Sequence, residues 1–267
     1  MEWLQYDFMQ RALVAGLLIA ITAPCIGVIL VLKRLSAVGE ATGHSSLAGI
    51  AFGMIMGWDP LVGAVVFSIA AVFFIELLRK RFRQYADLAP MIVLSAGIGL
   101  TAVLSRMVHS GGTNLSSFMF GSVVTITDAE LCLTAVLSVL VITLSILLYR
   151  PLFYMTFDED AAQIAGIPMG KLNFIFMLLT AVTVSAASRT VGALMAVSLL
   201  VIPVACGMII GRSYKKTFLW SVGFAEIFTV GGLILSYYLD WPPGGAIVLL
   251  GVAVLILIMS AFVIKRQ

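Results

Sequence analysis

The chain has 267 residues, 61% hydrophobic and 11% charged, with a formal net charge of +3 at neutral pH and a mean hydropathy of +1.13. That composition excludes a water-soluble globular domain and offers no basic face for nucleic acid. Apolar stretches of about 20 residues, long enough to cross a bilayer, recur throughout, so the predicted class is an all-α, polytopic integral membrane helical bundle. The stretches are approximately 9–32, 37–57, 60–78, 88–108, 128–149, 171–188, 190–211, 217–239 and 244–264. About nine transmembrane helices are therefore predicted, or eight if one segment is re-entrant. The first stretch is too long for a cleaved signal peptide, is followed by Lys33 and Arg34, and has no small-x-small cleavage pattern. Cys25, Cys132 and Cys206 are isolated, without the spacing of a disulfide or zinc knot.

Positive charge is distributed unevenly. Lys33/Arg34, Arg79/Lys80/Arg81/Arg83, Arg150/Lys171, Arg212/Lys215/Lys216 and Lys265/Arg266 hold 13 of the 16 Lys and Arg residues. With nine spans and the N-terminus outside, all five clusters face the cytoplasm, as the positive-inside rule requires. Arg11, Arg106 and Arg189 remain for the outer half, where Arg189 is expected to snorkel to the interface.

Within the spans, Gly49, Gly53, Gly97 and Gly99 read as small faces that let helices approach closely. Pro24 and Pro203 are positions where helices kink. Two connections break the apolar pattern. The outer one, Ser110 to Ser122, is rich in Gly and Ser and reads as a loop or short re-entrant turn. The inner one runs from Tyr149 to Gly170. Within it, a segment of about 156–168 contains a short helix, because acidic residues open Asp158-Glu-Asp-Ala-Ala-Gln-Ile-Ala-Gly-Ile-Pro168 and a glycine and a proline close it. Such a helix on the cytoplasmic face is either a docking element for a partner or a solvated connector.

Glu40 and His44 are the polar residues with the clearest chemical content. They stand four residues apart, hence on one helical face, and His44 lies about 13 Å from Leu35, near the middle of a hydrocarbon core of about 30 Å. A carboxylate and an imidazole at that depth suit a transient Zn²⁺, Mn²⁺ or Fe²⁺ site with incomplete protein ligation. The alternative is a packing histidine hydrogen-bonded to Glu40. Glu226 lies at a similar depth, where an interhelical hydrogen bond competes with a place on the pathway. Asp240 falls at the outer end of its span, about 35 Å along from Thr217. His109 belongs to the outer loop, where solvation competes with ligation. Most of the 13 methionines are expected to pack.

Together these segments resemble the permease subunit of the zinc/manganese/iron metal-uptake ABC transporters. Gly27-Val-Ile-Leu-Val-Leu-Lys-Arg34 runs into Leu35-Ser-Ala-Val-Gly-Glu-Ala-Thr-Gly-His44, where the family has Gly-Asp-Ala-x-x-His. Phe120-Gly-Ser-Val-Val, the Asp158–Pro168 segment, Val191-Gly-Ala-Leu with Leu-Leu-Val-Ile-Pro203, and Ser236-Tyr-Tyr-Leu-Asp-Trp-Pro-Pro-Gly-Gly245 follow in the family's order. Position 40 departs from it, with Glu in place of the usual Asp. The resemblance implies that residues 1–267 form one permease domain, with Glu40, His44 and Asp240 (a ligand or an entry-gate residue) as metal residues; Glu226, a possible pathway residue by its depth, matches no motif of the family. It implies that Asp158, Glu159, Ala161, Ala162 and Gly166 belong to a coupling helix that seats in a groove of the ATPase. It further implies a homodimer in a prokaryotic cytoplasmic membrane, served by an ABC ATPase subunit and an extracytoplasmic metal-binding protein. No cofactor is held permanently; the metal, Zn²⁺ before Mn²⁺ on this resemblance, is cargo.

No Gly-x-x-x-x-Gly-Lys-Ser/Thr phosphate loop occurs in the sequence, so the chain is not expected to be an enzyme, and ATP must bind a partner subunit. The competing class is a stand-alone secondary carrier or channel, with Glu40 and Glu226 relaying protons. An intramembrane hydrolase would need a nucleophile–base pair or a motif such as His-Glu-x-x-His, and neither is present.

Overall fold

The computed structural model describes residues 6–108, 115–122 and 126–264, and no strand occurs among them. Helices α1 (Asp7–Leu32), α2 (Ser36–Met56), α3 (Pro60–Arg81) and α4 (Leu88–Met107) follow one another closely. The short α5 (Leu115–Phe120) precedes α6 (Asp128–Leu147), and two more short helices, α7 (Tyr149–Phe157) and α8 (Glu159–Ile164), lead into α9 (Met169–Ala187). A π-helical turn, Ser188–Gly192, connects α9 to α10 (Ala196–Ile210), which is followed by α11 (Tyr214–Leu239) and α12 (Pro243–Ile264).

Local chemistry sets many of these boundaries. Asp59 caps α3 by accepting from the Leu61 amide at 2.8 Å, with Pro60 at the first helical position. Thr127 and Glu130 cap α6 reciprocally. Between α1 and α2 the Leu35 amide donates to the Leu30 carbonyl and the Arg34 amide to that of Val31, while Arg34 takes the left-handed conformation at φ 57°. This is a Schellman turn with arginine where glycine is usual. Helix α8 behaves as the sequence predicts. The Asp158 carboxylate accepts from the Ala161 amide at 2.9 Å, Gly166 is left-handed at φ 81°, and Pro168 caps α9.

Helices α1, α2 and α9 are largely buried, whereas α4, α6 and α12 lie at the periphery. The peripheral helices expose Val103, Val136, Val139, Ile256 and Leu257, as a lipid-facing surface requires. Nine of the described helices are 15 residues or longer: α1 to α4, α6 and α9 to α12. One end carries the α1–α2 turn, the end of α3 and the start of α9, which share a polar depression lined by Lys33, Arg34, Arg79 and Lys80. The start of α11 joins the same end through Tyr214, which packs on Tyr149 and Phe153 of α7. At the opposite end Arg11 pairs with Asp128 at 2.8 Å. The charge asymmetry read from the sequence is thus a difference between the two ends of the bundle. Arg83's side chain, Lys265 and Arg266 lie outside what is described.

Seven of the described helical segments are long and apolar enough to cross a membrane by themselves, fewer than the nine expected. The other two expected crossings are α2 and α10. Helix α2 carries Glu40, Thr42, His44, Ser45 and Ser46 in its first half, and α10 is only 15 residues long because the π-helical turn occupies the start of that stretch. Both cross in the company of other helices. The contact of α2 with α3 is backbone on backbone, since a Cβ at Gly49 would collide with the Gly63 carbonyl and one at Gly63 with that of Gly49. Gly49→Ala is therefore expected to force the two helices apart at a cost of about 1–3 kcal/mol. The readout is a lower unfolding temperature and a smaller monodisperse fraction in detergent. Gly99→Ala, where an added Cβ meets nothing within 4 Å, serves as the control and is expected to behave like the parent.

Candidate functional site

Glu40 and His44 lie one above the other on α2 and line a cavity of about 370 Å³ between α2 and α10. Its other walls include Ser36 and Gly43 of α2, Ala193, Leu194 and, on α10, Val197, Ser198 and Val201. Glu40 is exposed on this side and His44 half-buried, so the pair looks outward from the bundle into a partly enclosed space. The packing alternative calls for a Glu40–His44 hydrogen bond, and none forms between them in the structure. The remaining circumference of α2 is nearly all buried.

A seam of hydroxyls supports that buried side. The Thr42 hydroxyl donates to the Gly39 carbonyl at 2.8 Å and that of Ser46 to Gly43 at 2.7 Å. From α3, the Ser68 hydroxyl donates to the Thr42 carbonyl at 3.2 Å, and from α9 the Ser185 hydroxyl donates to Ser68 Oγ at 2.9 Å. Thr101 of α4 donates to the Gly97 carbonyl at 2.8 Å and to that of His44 at 3.4 Å. Carbonyls and hydroxyls that would be costly in hydrocarbon are thereby satisfied, and the helix carrying the two candidate donors is fixed from three sides. Sequence reasoning passed over these hydroxyls; the cluster of small polar residues in an otherwise apolar run was the available signal.

The remaining candidates lie elsewhere. Helix α11 is unbroken to Leu239, so Asp240 is at the outer end of the bundle, left-handed at φ 53°. It does not join Glu40 and His44, and no cluster of three or more His, Cys, Asp or Glu residues able to hold a metal occurs among the described residues. Glu226 is half-buried partway along α11 and does not line the α2–α10 cavity. His109 lies outside the described residues.

Arg189 corrects its expected role. It does not snorkel: its side chain is 5% exposed, Nε lies 3.0 Å from Glu130 Oε1, and its guanidinium sits 4.4 Å from the centre of the Phe118 ring. Glu130 also accepts from the Thr127 amide at 2.9 Å and the Thr127 hydroxyl at 3.0 Å. The Thr-Asp-Ala-Glu sequence before an apolar run was a readable capping signal. Helix α5 lies against the π-helical turn, with the amides of Ala193 and Leu194 donating to the carbonyls of Phe118 and Met119 at 2.8 and 3.3 Å. The described part of the outer connection thus packs on the residues after the π-helical turn, and Ala193 is also part of the wall of the α2–α10 cavity.

Ala162 is corrected as well. It is 2% exposed and belongs to the bundle's main apolar cluster, so it packs inward instead of presenting a small outward face. Ala161 and Gly166 are exposed, as are Asp158 and Glu159, and Ile164 is the most prominent outward group at 88% exposure.

The model of the ABC 3 transport family matches residues 5–263 of the chain. The chain belongs to the ABC 3 transport family. Within that family it is 33% identical over 265 residues, 98% of each chain, to a protein of Treponema pallidum named "Probable metal transport system membrane protein". It is 31% identical over 265 residues, 99% of this chain and 93% of the other, to the manganese transport system membrane protein MntC of Listeria monocytogenes. Its fold superposes on a chain of the structure "PsaBC from Streptococcus pneumoniae in complex with Fab" with a TM-score of 0.85 and 26% identity, covering 95% of this chain and 91% of that one. This ABC 3 family chain is accordingly a multi-pass permease of the cell membrane, of the class that serves metal transport.

Proposed function

We propose that the chain, as a single permease domain, moves a divalent transition metal inward, Mn²⁺ foremost, on energy from ATP hydrolysis in a separate ABC subunit. The observation that carries this reading is the Glu40–His44 pair, set on the wall of an open cavity between α2 and α10. One carboxylate and one imidazole suit a borderline-to-hard cation that must be released again. Zinc comes first on sequence resemblance alone; the relatives named for manganese and a cavity lined without thiolates favour Mn²⁺. Because the pair opens to one side of the bundle, a second copy facing it would double the donors from two to four and enclose the cation. That geometry supports the reading of a homodimer with the path between copies. An extracytoplasmic metal-binding protein delivers the cargo at the outer end, and the metal is substrate, with no resident cofactor. The stand-alone carrier reading loses support because Glu226 does not line the cavity.

The test is uptake of radioactive Mn²⁺ and Zn²⁺ into proteoliposomes containing the chain, its ATPase and the binding protein. Uptake is expected only with ATP and all components, and faster for Mn²⁺. Uptake by the chain alone, without ATP, would overturn the proposal in favour of a carrier. Ile164→Asp places a charge on the outermost side chain of α8 and is expected to reduce ATPase co-purification about tenfold, a loss of about 1.4 kcal/mol, with insertion unchanged. Ala162→Arg is instead expected to destabilise the permease itself.

A further inference from the structure

The turn beneath α8 holds a closed triangle of polar side chains that the site does not use. Lys33 Nζ lies 2.9 Å from Asn173 Oδ1 and 3.4 Å from Glu159 Oε2, and Asn173 Nδ2 lies 3.3 Å from Glu159 Oε1. Each partner comes from a different element: Glu159 opens α8, Asn173 is on the first turns of α9, and Lys33 ends α1. The Asn173 amide satisfies both neighbours at once, its oxygen accepting from the cation and its nitrogen donating to the carboxylate.

Lys33 has little freedom. Its side chain is 13% exposed against 50% for Glu159. Burial and the nearby Arg79 pull its ammonium below the ordinary lysine value, while Glu159 pulls it back up. The backbone here is equally constrained. Lys33 is followed directly by left-handed Arg34, and α2 starts at Ser36, so Glu40 is little more than one turn beyond the hinge and His44 one turn further. The polar depression of about 990 Å³ adjoining Glu159 and Asn173 leaves open space beside the triangle.

We propose that Lys33 is the positioning residue through which displacement of α8 is transmitted to the first turns of α2, shifting Glu40 relative to α10. The inference rests on the importer reading above and adds the route by which ATPase docking reaches the cation site. Pulling α8 away from the bundle draws Glu159 from Lys33, and the strain falls on the single left-handed residue between α1 and α2. Because α2 is held from Thr42 onward by hydroxyls and close backbone contacts, the movement falls on the turns before it, which carry Glu40. Asn173 keeps Lys33 and Glu159 in register while this happens.

The experiment measures metal transported per ATP hydrolysed by the reconstituted complex, alongside co-purification and unfolding temperature. Lys33→Met is expected to leave assembly and ATP hydrolysis near parental levels and to lower metal per ATP about fivefold or more, the scale of an ordinary intersite coupling. Asn173→Leu, which keeps the Lys33–Glu159 ion pair, should lower it less. The exchange Lys33→Glu with Glu159→Lys keeps both charges, and the Asn173 amide can flip to serve them, so the ratio should recover most of its value. Should Lys33→Met fail to assemble, the exchange and Asn173→Leu decide. An unchanged ratio in Lys33→Met, or a loss of stability with no recovery in the exchange, would overturn the inference while leaving the importer reading intact. If the parental complex shows no ATP-driven uptake, both fall together.

Discussion

His44→Ala is expected to lower metal uptake about a hundredfold or more while leaving membrane insertion and ATPase assembly at parental levels. Loss of a residue that merely orients a metal ligand costs about 10–100-fold, and His44 offers the only imidazole in the cavity. Alanine keeps α2 helical, and His44 is only half-buried, so the fold loses little packing. Glu40→Gln should have a comparable effect, because it preserves shape and removes the charge that makes the site attractive to a dication. Glu40→Asp shortens the reach by one methylene, restores the usual family residue, and should retain transport with a changed Mn²⁺/Zn²⁺ ratio. The measurement is initial uptake in the reconstituted complex. Parental rates in both His44→Ala and Glu40→Gln would mean that the cation does not pass the pair.

Arg189→Met is expected to destabilise the chain by about 3–5 kcal/mol, as removal of one partner from a buried ion pair does. Glu130 would be left 6% exposed with its charge uncompensated, and Phe118 would lose the cation over its ring. Adding Glu130→Gln should recover much of that loss, since the amide oxygen can still accept from Thr127 and no charge remains buried. Unfolding in detergent, followed through the double-mutant cycle, checks both numbers. Equal instability in the single and double variants would show that shape, not charge, holds this corner.

The helices were legible in the sequence where one strong local signal set them. Apolar length located the seven helices able to cross by themselves, and the Asp158–Gly166–Pro168 punctuation located α8. The i, i+4 spacing of Glu40 and His44 placed both on one wall of one cavity. Facing directions were not legible. Ala162 lies in a helix of only six residues, whose orientation is fixed by the cluster beneath it and not by any periodicity of its own. Arg189 depended on a partner at the start of a different helix, and its neighbouring Ser and Thr suggested only a polar boundary. Helix α7 was missed although Tyr149, Phe153 and Phe157 repeat every four residues; the stripe packs on Tyr214. The family-like segments around Phe120-Gly, Val191-Gly and Pro-Pro-Gly-Gly also gained a meaning. Gly121, Gly192 and Gly244 bring three backbones together, and a Cβ on Gly121 would sit 2.5 Å from the Thr190 carbonyl oxygen. Those segments build the outer junction, so their glycines are architectural.

Helix α2 also constrains how the protein is made. A segment with a carboxylate, an imidazole and several hydroxyls partitions poorly from the translocon into lipid by itself. Its groove-forming glycine meets α3, the next helix to be synthesised, and Trp58-Asp59-Pro60 forms a short connection between them. The ribosome therefore delivers α2 and α3 as a hairpin that enters the bilayer together, with α3 supplying the apolar surface that α2 gives up to carry its polar groups.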